Sequence, residues 1–338
     1  MTRVTTHAQR AIEVLGQRYH GLTLISEGRS GLVFTGYAHD VDGPPVAVKV
    51  AYRADGSTHA TTALARFRRE GEIGARLSHP HILRTSPCEV LDGIEFYEME
   101  AAGPIRLDHL ITATNPPTFP RILTLLQQIA EALDYAHAHG IVHGALRPAT
   151  VLLDPTGRVR VKGFCLYDGE VPPVRTLAAA VVGHAAYMAP EQWHDTAGGR
   201  QIDVYALGVI AYELCTGRAR VGYDAAGVPE IRPIELAPNL ALRDDIPMHV
   251  SAAIRRAINK DTDVRYHAVG EFVWALFHAE DAMGHSLPTL APPLHTKPHA
   301  PWMLIGLVLL VAFAIFVGVP STARDTLFAR ITTSADSR

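Results

Sequence analysis

The feature that most constrains this chain is a set of short motifs in one order along residues 19–276. A glycine-bearing loop at 24–33 comes first, and an apolar run at 46–49 ends in a lysine. A loop at 139–153 then holds two histidines and a proline, and a segment at 183–191 ends in Ala-Pro-Glu. One glycine motif alone is weak evidence for a nucleotide site, but several motifs in a fixed order leave little room for chance.

Hydrophobic periodicity divides this region into two parts. Residues 20–100 alternate turns with β-rich runs, interrupted by one helical segment at about 60–77. Further on, residues 122–139 have the pattern of an amphipathic helix, and residues 204–214 that of a buried apolar one. The region therefore begins rich in strands and continues rich in helices.

The motifs resemble those of the eukaryotic-type (Hanks-type) protein kinase family, and their sequences are most similar to those of bacterial membrane serine/threonine kinases. Residues 139–153 are similar to the catalytic loop H-R-D-L-K-P-x-N-V-L-L, and residues 46–49 to V-A-I-K. Residues 67–70 resemble part of helix αC, and residues 183–191 resemble the end of an activation segment. The resemblance implies an α+β, two-lobed kinase-like fold with a β-rich small lobe and a helical large lobe.

ATP is the ligand that the resemblance implies. Lys49 would contact phosphate oxygens while paired with Glu70, and Gly28 and Gly31 would shape the phosphate loop, with Ser26 in place of its first glycine. The predicted adenine slot, gatekeeper and hinge comprise Val33, Ala47, Leu152, Met99, Glu100 and Ala102. These residues, with Lys49, Glu70 and the two loop glycines, form the predicted nucleotide site.

Four positions that carry catalytic groups in the family hold other residues here. The aspartate that accepts the substrate proton is replaced by Ala145, and the metal-binding aspartate by Gly163. The metal-binding asparagine is Thr150, and the loop lysine is Arg147. Because phosphoryl transfer depends on positioning and charge neutralisation, the resemblance implies an impaired pseudokinase with weak or absent Mg²⁺ binding and no intact catalytic residue.

Three functions remain open at this stage. The first is a pseudokinase that binds ATP and acts as a scaffold or allosteric partner of another protein, such as an active kinase or a membrane protein. The second is an atypical serine/threonine kinase that transfers the ATP γ-phosphate to protein hydroxyls. The third is a nucleotide-free interaction module. Asp203, Glu191 and Arg265 match scaffold positions of the family, and an ion pair between Glu191 and Arg265 is expected.

Charge and cysteine content exclude other classes of function. The chain carries 31 basic and 34 acidic residues, mixed throughout, for a net charge of −3. No basic stripe is present, so we expect no nucleic-acid partner. The three cysteines lie far apart without the spacing of metal ligands, which argues against a zinc site and a disulfide framework.

The composition changes near the C-terminus. Residues 302–319 carry no charge, and as a helix they would extend about 27 Å, close to the hydrocarbon thickness of a bilayer. A buried core helix is the alternative, but this run is apolar on all sides. No apolar stretch precedes the kinase-like region, so we expect a single-pass protein of the cytoplasmic membrane with its kinase-like domain in the cytoplasm; flanking charges do not settle this orientation.

The predicted organisation has six parts. These are an N-terminal extension (1–18), the small lobe (19–102), the large lobe (103–284), a proline-rich linker (285–301), a transmembrane helix (302–319) in contact with the lipid bilayer, and a short extracytoplasmic tail (320–338).

Overall fold

The structure is a computed structural model that describes most of the first 278 residues. The chain divides into two units, Met1–His285 and Ser286–Arg338, and every described residue belongs to the first. The described ranges are 3–28, 31–40, 43–52, 58–103, 105–164, 183, 185–193, 199–223, 229–231 and 242–278.

A five-stranded antiparallel sheet forms the small lobe, with strand order β1-β2-β3-β5-β4. Side chains alternate between the two faces of a strand, so β2 and β3 each contribute to both faces. One face is apolar and buried, and the other carries Lys49. The strands are β1 (Tyr19–Gly28), β2 (Gly31–Ala38), β3 (Val46–Ala51), β4 (Glu89–Leu91) and β5 (Ile94–Glu100).

Two helices cover the two faces of this sheet. Helix α1 (Arg3–Leu15) buries Ala11 and Leu15 completely, in one cluster with Phe34 and Val48. The sequence predicted only an extension for residues 1–18, so this packed helix is new. Helix α2 (Thr58–Arg76) lies against the opposite face.

The large lobe is built around two buried helices. Helix α4 (Phe119–Ala138) buries one apolar side, and helix α5 (Gln201–Thr216) is buried along almost its whole length. Both helices were predicted, and both are confirmed. The lobe also contains α3 (Leu107–Ile111), α6 (His249–Ala257) and α7 (Val269–Phe277), besides short 3₁₀ turns at Pro148–Thr150 and Pro190–Trp193.

Two small sheets complete the large lobe. Strands β6 (Ile105–Arg106), β7 (Val151–Leu153) and β8 (Val159–Val161) form one antiparallel sheet. Strands β9 (Val221–Tyr223) and β10 (Pro229–Ile231) form the other. The predicted two-lobed α+β fold, strand-rich first and helix-rich afterwards, is therefore confirmed.

No helix within the described residues combines the length and the apolar character needed to cross a bilayer. The predicted membrane segment at 302–319, with the linker before it and the tail after it, lies outside the described residues. These parts of the predicted organisation stay predictions.

Candidate functional site

An ion pair links the sheet of the small lobe to helix α2. Lys49 Nζ lies 2.7 Å from Glu70 Oε2, and both side chains are largely buried. The ammonium also lies 5.4 Å from the ring centre of Tyr97 and 5.7 Å from that of Phe67, distances typical of cation–π contacts. The expected pair is thus present, and it holds Lys49 in a defined position. Its contact with phosphates stays a prediction.

The predicted adenine-slot residues of the small lobe share one face of the sheet. Val33 lies opposite Lys49 in the β2–β3 register, and Ala47 lies opposite Met99 in the β3–β5 register. Directly opposite residues project their side chains to the same face, as do residues two apart on one strand. The register therefore brings these four side chains to the face that carries Lys49.

The two glycines of the predicted phosphate loop lie opposite each other in the β1–β2 hairpin. Gly28 and Gly31 are register partners at the end of the β1–β2 hairpin, and residues 29–30 between them lie outside the described residues. A Cβ atom at Gly31 would lie 1.9 Å from the carbonyl oxygen of Val50, a distance that no side chain tolerates. Gly31 is therefore required by strand packing, independently of any phosphate contact.

The hinge satisfies its own backbone hydrogen bonds. The amide of Ala102 donates to the carbonyl of Glu100 at 2.9 Å, and the amide of Glu100 donates to Arg84 at 3.0 Å. The Glu100 carboxylate also lies 3.2 Å from Arg160 Nη2 of the large lobe. An adenine ring that accepts a hydrogen bond from the Ala102 amide must compete with the carbonyl of Glu100 for it.

The remaining predicted slot residue lies on the β6–β7–β8 sheet of the large lobe. Leu152 lies opposite Arg160 in the β7–β8 register, so both side chains project to one face. The ion pair between Arg160 and Glu100 directs that face towards the hinge. The predicted slot residue Leu152 is thus half-buried on the side where the hinge lies.

A buried aspartate fixes the loop that resembles a catalytic loop. Asp203 of α5 accepts hydrogen bonds from the amides of His143 at 2.9 Å and Gly144 at 2.8 Å, and its Oδ2 lies 2.7 Å from His137 Nε2. Burial alone would raise the pKa of Asp203, but the hydrogen bond from His137 and the neighbouring charges hold that pKa below its ordinary value. Asp203 thus holds the first part of the loop through its backbone amides.

The loop positions expected to carry catalytic groups carry no free oxygen ligand. Ala145 is buried and apolar, and Thr150 Oγ1 donates to the carbonyl of Arg147 at 2.8 Å while it accepts from the Arg147 amide at 3.1 Å. Burial lowers the pKa of Arg147, whose guanidinium makes no hydrogen bond or ion pair among the interactions of the described residues. Arg147 thus places a cation at the family's lysine position, and Ala145 leaves the family's acid position without a charge.

Gly163 offers no ligand either. Its backbone adopts a φ of 86°, and the next residue, Phe164, is buried with its ring 4.8 Å from the ring of His143. Asp154 does not replace the missing acid, because it accepts two backbone and one hydroxyl hydrogen bond within its own turn. Two further acids close in sequence, at 168 and 170, lie outside the described residues.

Among the described residues, the side chains at the family's two metal positions offer no free oxygen ligand, and weak or absent binding of Mg²⁺ stays a prediction. The positions from which the family would coordinate it are Gly163 and Thr150, and the described residues contain no group of three His, Cys, Asp or Glu side chains placed to hold a metal. ATP fits better, because the ion pair of Lys49 and the apolar face of the slot are both formed.

The scaffold of the large lobe is intact around Arg265. Its guanidinium makes a bidentate ion pair with Glu191, with Nη1 2.6 Å from Oε1 and Nη2 2.8 Å from Oε2. It also donates to the carbonyls of Asn259 and Gln201. The expected pair between Glu191 and Arg265 is confirmed. Since Arg265 is fully buried, these bonds are needed to offset the loss of its hydration.

Comparison with known proteins agrees with this architecture. The protein kinase domain model matches residues 19–268. The chain is 28% identical over 263 residues to the "Probable serine/threonine-protein kinase PknB" of Lactococcus lactis. It is 29% identical over 293 residues to the serine/threonine-protein kinase PknH, and 30% identical over 287 residues to the serine/threonine-protein kinase PknA, both of Mycobacterium tuberculosis.

These alignments cover most of the chain but only part of each relative. They include 77%, 83% and 82% of this chain, and 42%, 46% and 65% of PknB, PknH and PknA respectively. The chain thus spans less than two thirds of the length of each of these relatives.

Proposed function

Because this chain belongs to the protein kinase family, we propose that it is a pseudokinase that binds ATP in the cleft between its lobes and transfers phosphate poorly or not at all. One observation carries this proposal. The cleft keeps the ion pair of Lys49 and Glu70, whereas Ala145, Gly163 and Thr150 leave no carboxylate for a metal ion or for the substrate proton.

The expected loss of rate is large. Removing a general base lowers a rate by about 10²–10⁴, and removing one electrostatic stabiliser lowers it by about 10²–10³. Such losses do not simply multiply, but together they support a fall of at least ~10⁴ from the ~1–100 turnovers per second of an ordinary kinase. The protein would then act through its shape, as a scaffold or allosteric partner of another protein.

An active serine/threonine kinase is the second candidate, and the comparisons support it at least as well. All three relatives named above are serine/threonine-protein kinases by name. The intact pair of Lys49 with Glu70 and the intact pair of Glu191 with Arg265 also suit an active enzyme. In this case an acid from outside the described residues would have to supply the missing carboxylate. ATP would then be bound together with Mg²⁺, as is usual for a kinase.

Thermal melting of the 338-residue chain with and without ATP tests the nucleotide site. We expect ATP to raise the melting temperature of the wild-type chain, because a ligand that binds only the folded state stabilises it. The Lys49→Ala variant should lose most of this shift, while Lys260→Ala, an exposed lysine of the large lobe, should keep it. An equal shift in Lys49→Ala would refute the pocket, and no shift in the wild type would favour a nucleotide-free interaction module.

A further inference from the structure

The cleft contains a lysine, Lys162, that sequence reasoning did not single out. It directly precedes Gly163, and its backbone is held on two sides. Its amide donates to the carbonyl of Thr150 at 2.9 Å, and its own carbonyl lies 3.1 Å from Nε2 of His143. Lys162 is therefore fixed between the two ends of the loop that resembles a catalytic loop.

Lys162 directly follows β8, and its hydrogen bond to Thr150 continues the β7–β8 pairing by one residue. Val161 is fully buried in the core of the large lobe, so the alternation of side chains sends its two neighbours, Arg160 and Lys162, to the other face. Arg160 reaches the hinge from that face. Lys162 is half-buried there and makes no hydrogen bond or ion pair among the interactions of the described residues.

The charges around Lys162 agree with this direction. Burial lowers the pKa of its ammonium, and the next largest influence is the positive charge of Lys49. Glu70 opposes this effect, but its carboxylate is already engaged by Lys49 at 2.7 Å. Arg147 adds a further positive charge. Arg106 adds another, although it is paired with Asp108, so positive charge outweighs negative charge around Lys162.

We propose that the ammonium of Lys162 supplies, for the phosphates of a bound nucleoside triphosphate, the positive charge that a divalent metal ion would otherwise supply. The inference rests on the proposed nucleotide site and specifies its ligand as the metal-free triphosphate. A lysine binds phosphate as a compact point charge, and it needs no carboxylate to hold it in place. Carboxylates in place of Ala145 and Gly163 would neutralise these cations, so this mode of binding requires that they be absent.

Two consequences distinguish this site from one that needs a metal. The ammonium of Lys162 has no anionic partner among the described residues, and a half-buried cation without one is unfavourable, so the triphosphate would supply the missing anion. A divalent cation is less favoured in the same place, because Lys49, Arg147 and Lys162 repel it and the described residues include no group of three His, Cys, Asp or Glu side chains placed to hold a metal.

Calorimetric titration of ATP into the 338-residue chain, in EDTA and in excess Mg²⁺, tests the proposal. The wild type should bind ATP in EDTA, and Mg²⁺ should leave its Kd nearly unchanged or weaken it. Lys162→Met should raise the Kd in EDTA by about tenfold to a hundredfold, the usual worth of one charge-assisted hydrogen bond. Lys162→Arg should stay near the wild type, as should Lys260→Met, which removes an exposed lysine.

Melting curves without nucleotide serve as the folding control. Methionine in place of a half-buried lysine that has no partner among the described residues should not lower the melting temperature. If Lys162→Met does fold poorly, Lys162→Gln keeps a polar side chain while it removes the charge, and it should show the same loss of affinity in EDTA.

The outcomes separate this inference from the proposed function. If wild type and Lys162→Met bind ATP equally well in EDTA, the role of Lys162 is refuted while the nucleotide site stands. If the wild type binds ATP only with Mg²⁺, the metal-free triphosphate is refuted and the active-kinase candidate gains support. If the folded wild type binds no ATP in either buffer, the nucleotide site itself is refuted, and the inference with it.

Discussion

At the scale of single residues, substitutions that remove chemistry stand beside residues that keep the structure. Ala145 and Gly163 remove carboxylates, whereas Asp203 retains every hydrogen bond that positions the same loop. Since Asp203 binds backbone amides, these hydrogen bonds do not depend on the side chains at positions 144 and 145, although the φ of 67° at Gly144 favours glycine there. The hydrogen bonds that position the loop are therefore made by other groups than the ones that would carry out catalysis.

Glu213 provides a pH prediction at this scale. Burial raises the pKa of its carboxyl from 4.5 to about 7, although Tyr187 and the amide of Arg220 donate hydrogen bonds to it. The folded state then holds a proton that the unfolded state releases above about pH 4.5. The free energy of unfolding should therefore fall, by roughly 3 kcal/mol, as the pH rises from about 4.5 to about 7.

The Glu213→Gln variant should flatten this dependence, because glutamine stays neutral at every pH. Urea unfolding at pH 5 and pH 8 measures it, with Glu72→Gln, an exposed glutamate of α2, as the matched control that should keep the wild-type slope. An unchanged slope in Glu213→Gln would show that another group causes the dependence, or that Glu213 is ionised throughout.

At the scale of elements, helix α2 has two glycines, Gly71 and Gly74, on the side that contacts neighbouring segments. A Cβ atom at Gly74 would lie 3.0 Å from Cβ and Oγ1 of Thr85, and one at Gly71 would lie 3.2 Å from the ring of Tyr97. The helix backbone thus packs directly on the segment around Thr85 and on β5. Each glycine costs up to ~1 kcal/mol in helix propensity, and close packing compensates for it.

We accordingly expect Gly74→Ala to destabilise the protein, although alanine favours a helix. The overpacking penalty is typically about 1–3 kcal/mol, and it should exceed the gain of up to ~1 kcal/mol in propensity. Chemical unfolding measures the difference, and the exposed Glu72→Ala should change the free energy of unfolding by less than about 0.5 kcal/mol. Thr85→Ala should reduce the penalty in a double-mutant cycle; a stabilised Gly74→Ala chain would mean that the helix is free to shift.

Two ion pairs of this structure could be predicted from short sequence motifs. The pairs of Lys49 with Glu70 and of Glu191 with Arg265 followed from the family pattern, because each member lies inside a recognisable motif. Helix α1 was missed although its signal was present: Ala8, Ala11 and Leu15 follow the helical period and are buried.

Other features had no signal in the sequence. The hydrogen bond between Ala102 and Glu100 depends on the backbone angles of the hinge, and the contact of Gly74 with Thr85 depends on how α2 packs. Lys162 was not singled out because its role depends on the direction of its side chain after β8 and on the charges around it. Such properties arise from tertiary contacts, which a single sequence does not display.

At the scale of the whole molecule, we propose that residues 302–319 anchor the chain in the cytoplasmic membrane as a single-pass helix. Eighteen uncharged residues suffice to cross a bilayer. The full chain should stay in the membrane fraction after extraction at alkaline pH, and a chain that ends at residue 301 should be released. A chain with Leu309→Arg, near the centre of the segment, should be retained less well. Release of the full chain would exclude the anchor.

The most direct test of the whole account is transfer of the γ-phosphate from radiolabelled ATP, measured for the 338-residue chain and for Lys49→Ala, with a general protein substrate and with Mg²⁺ present. The account predicts that transfer by the wild type does not exceed that of Lys49→Ala, because nothing in the cleft steers a hydroxyl or holds a metal ion. Transfer at ~1–100 turnovers per second that Lys49→Ala abolishes would contradict it.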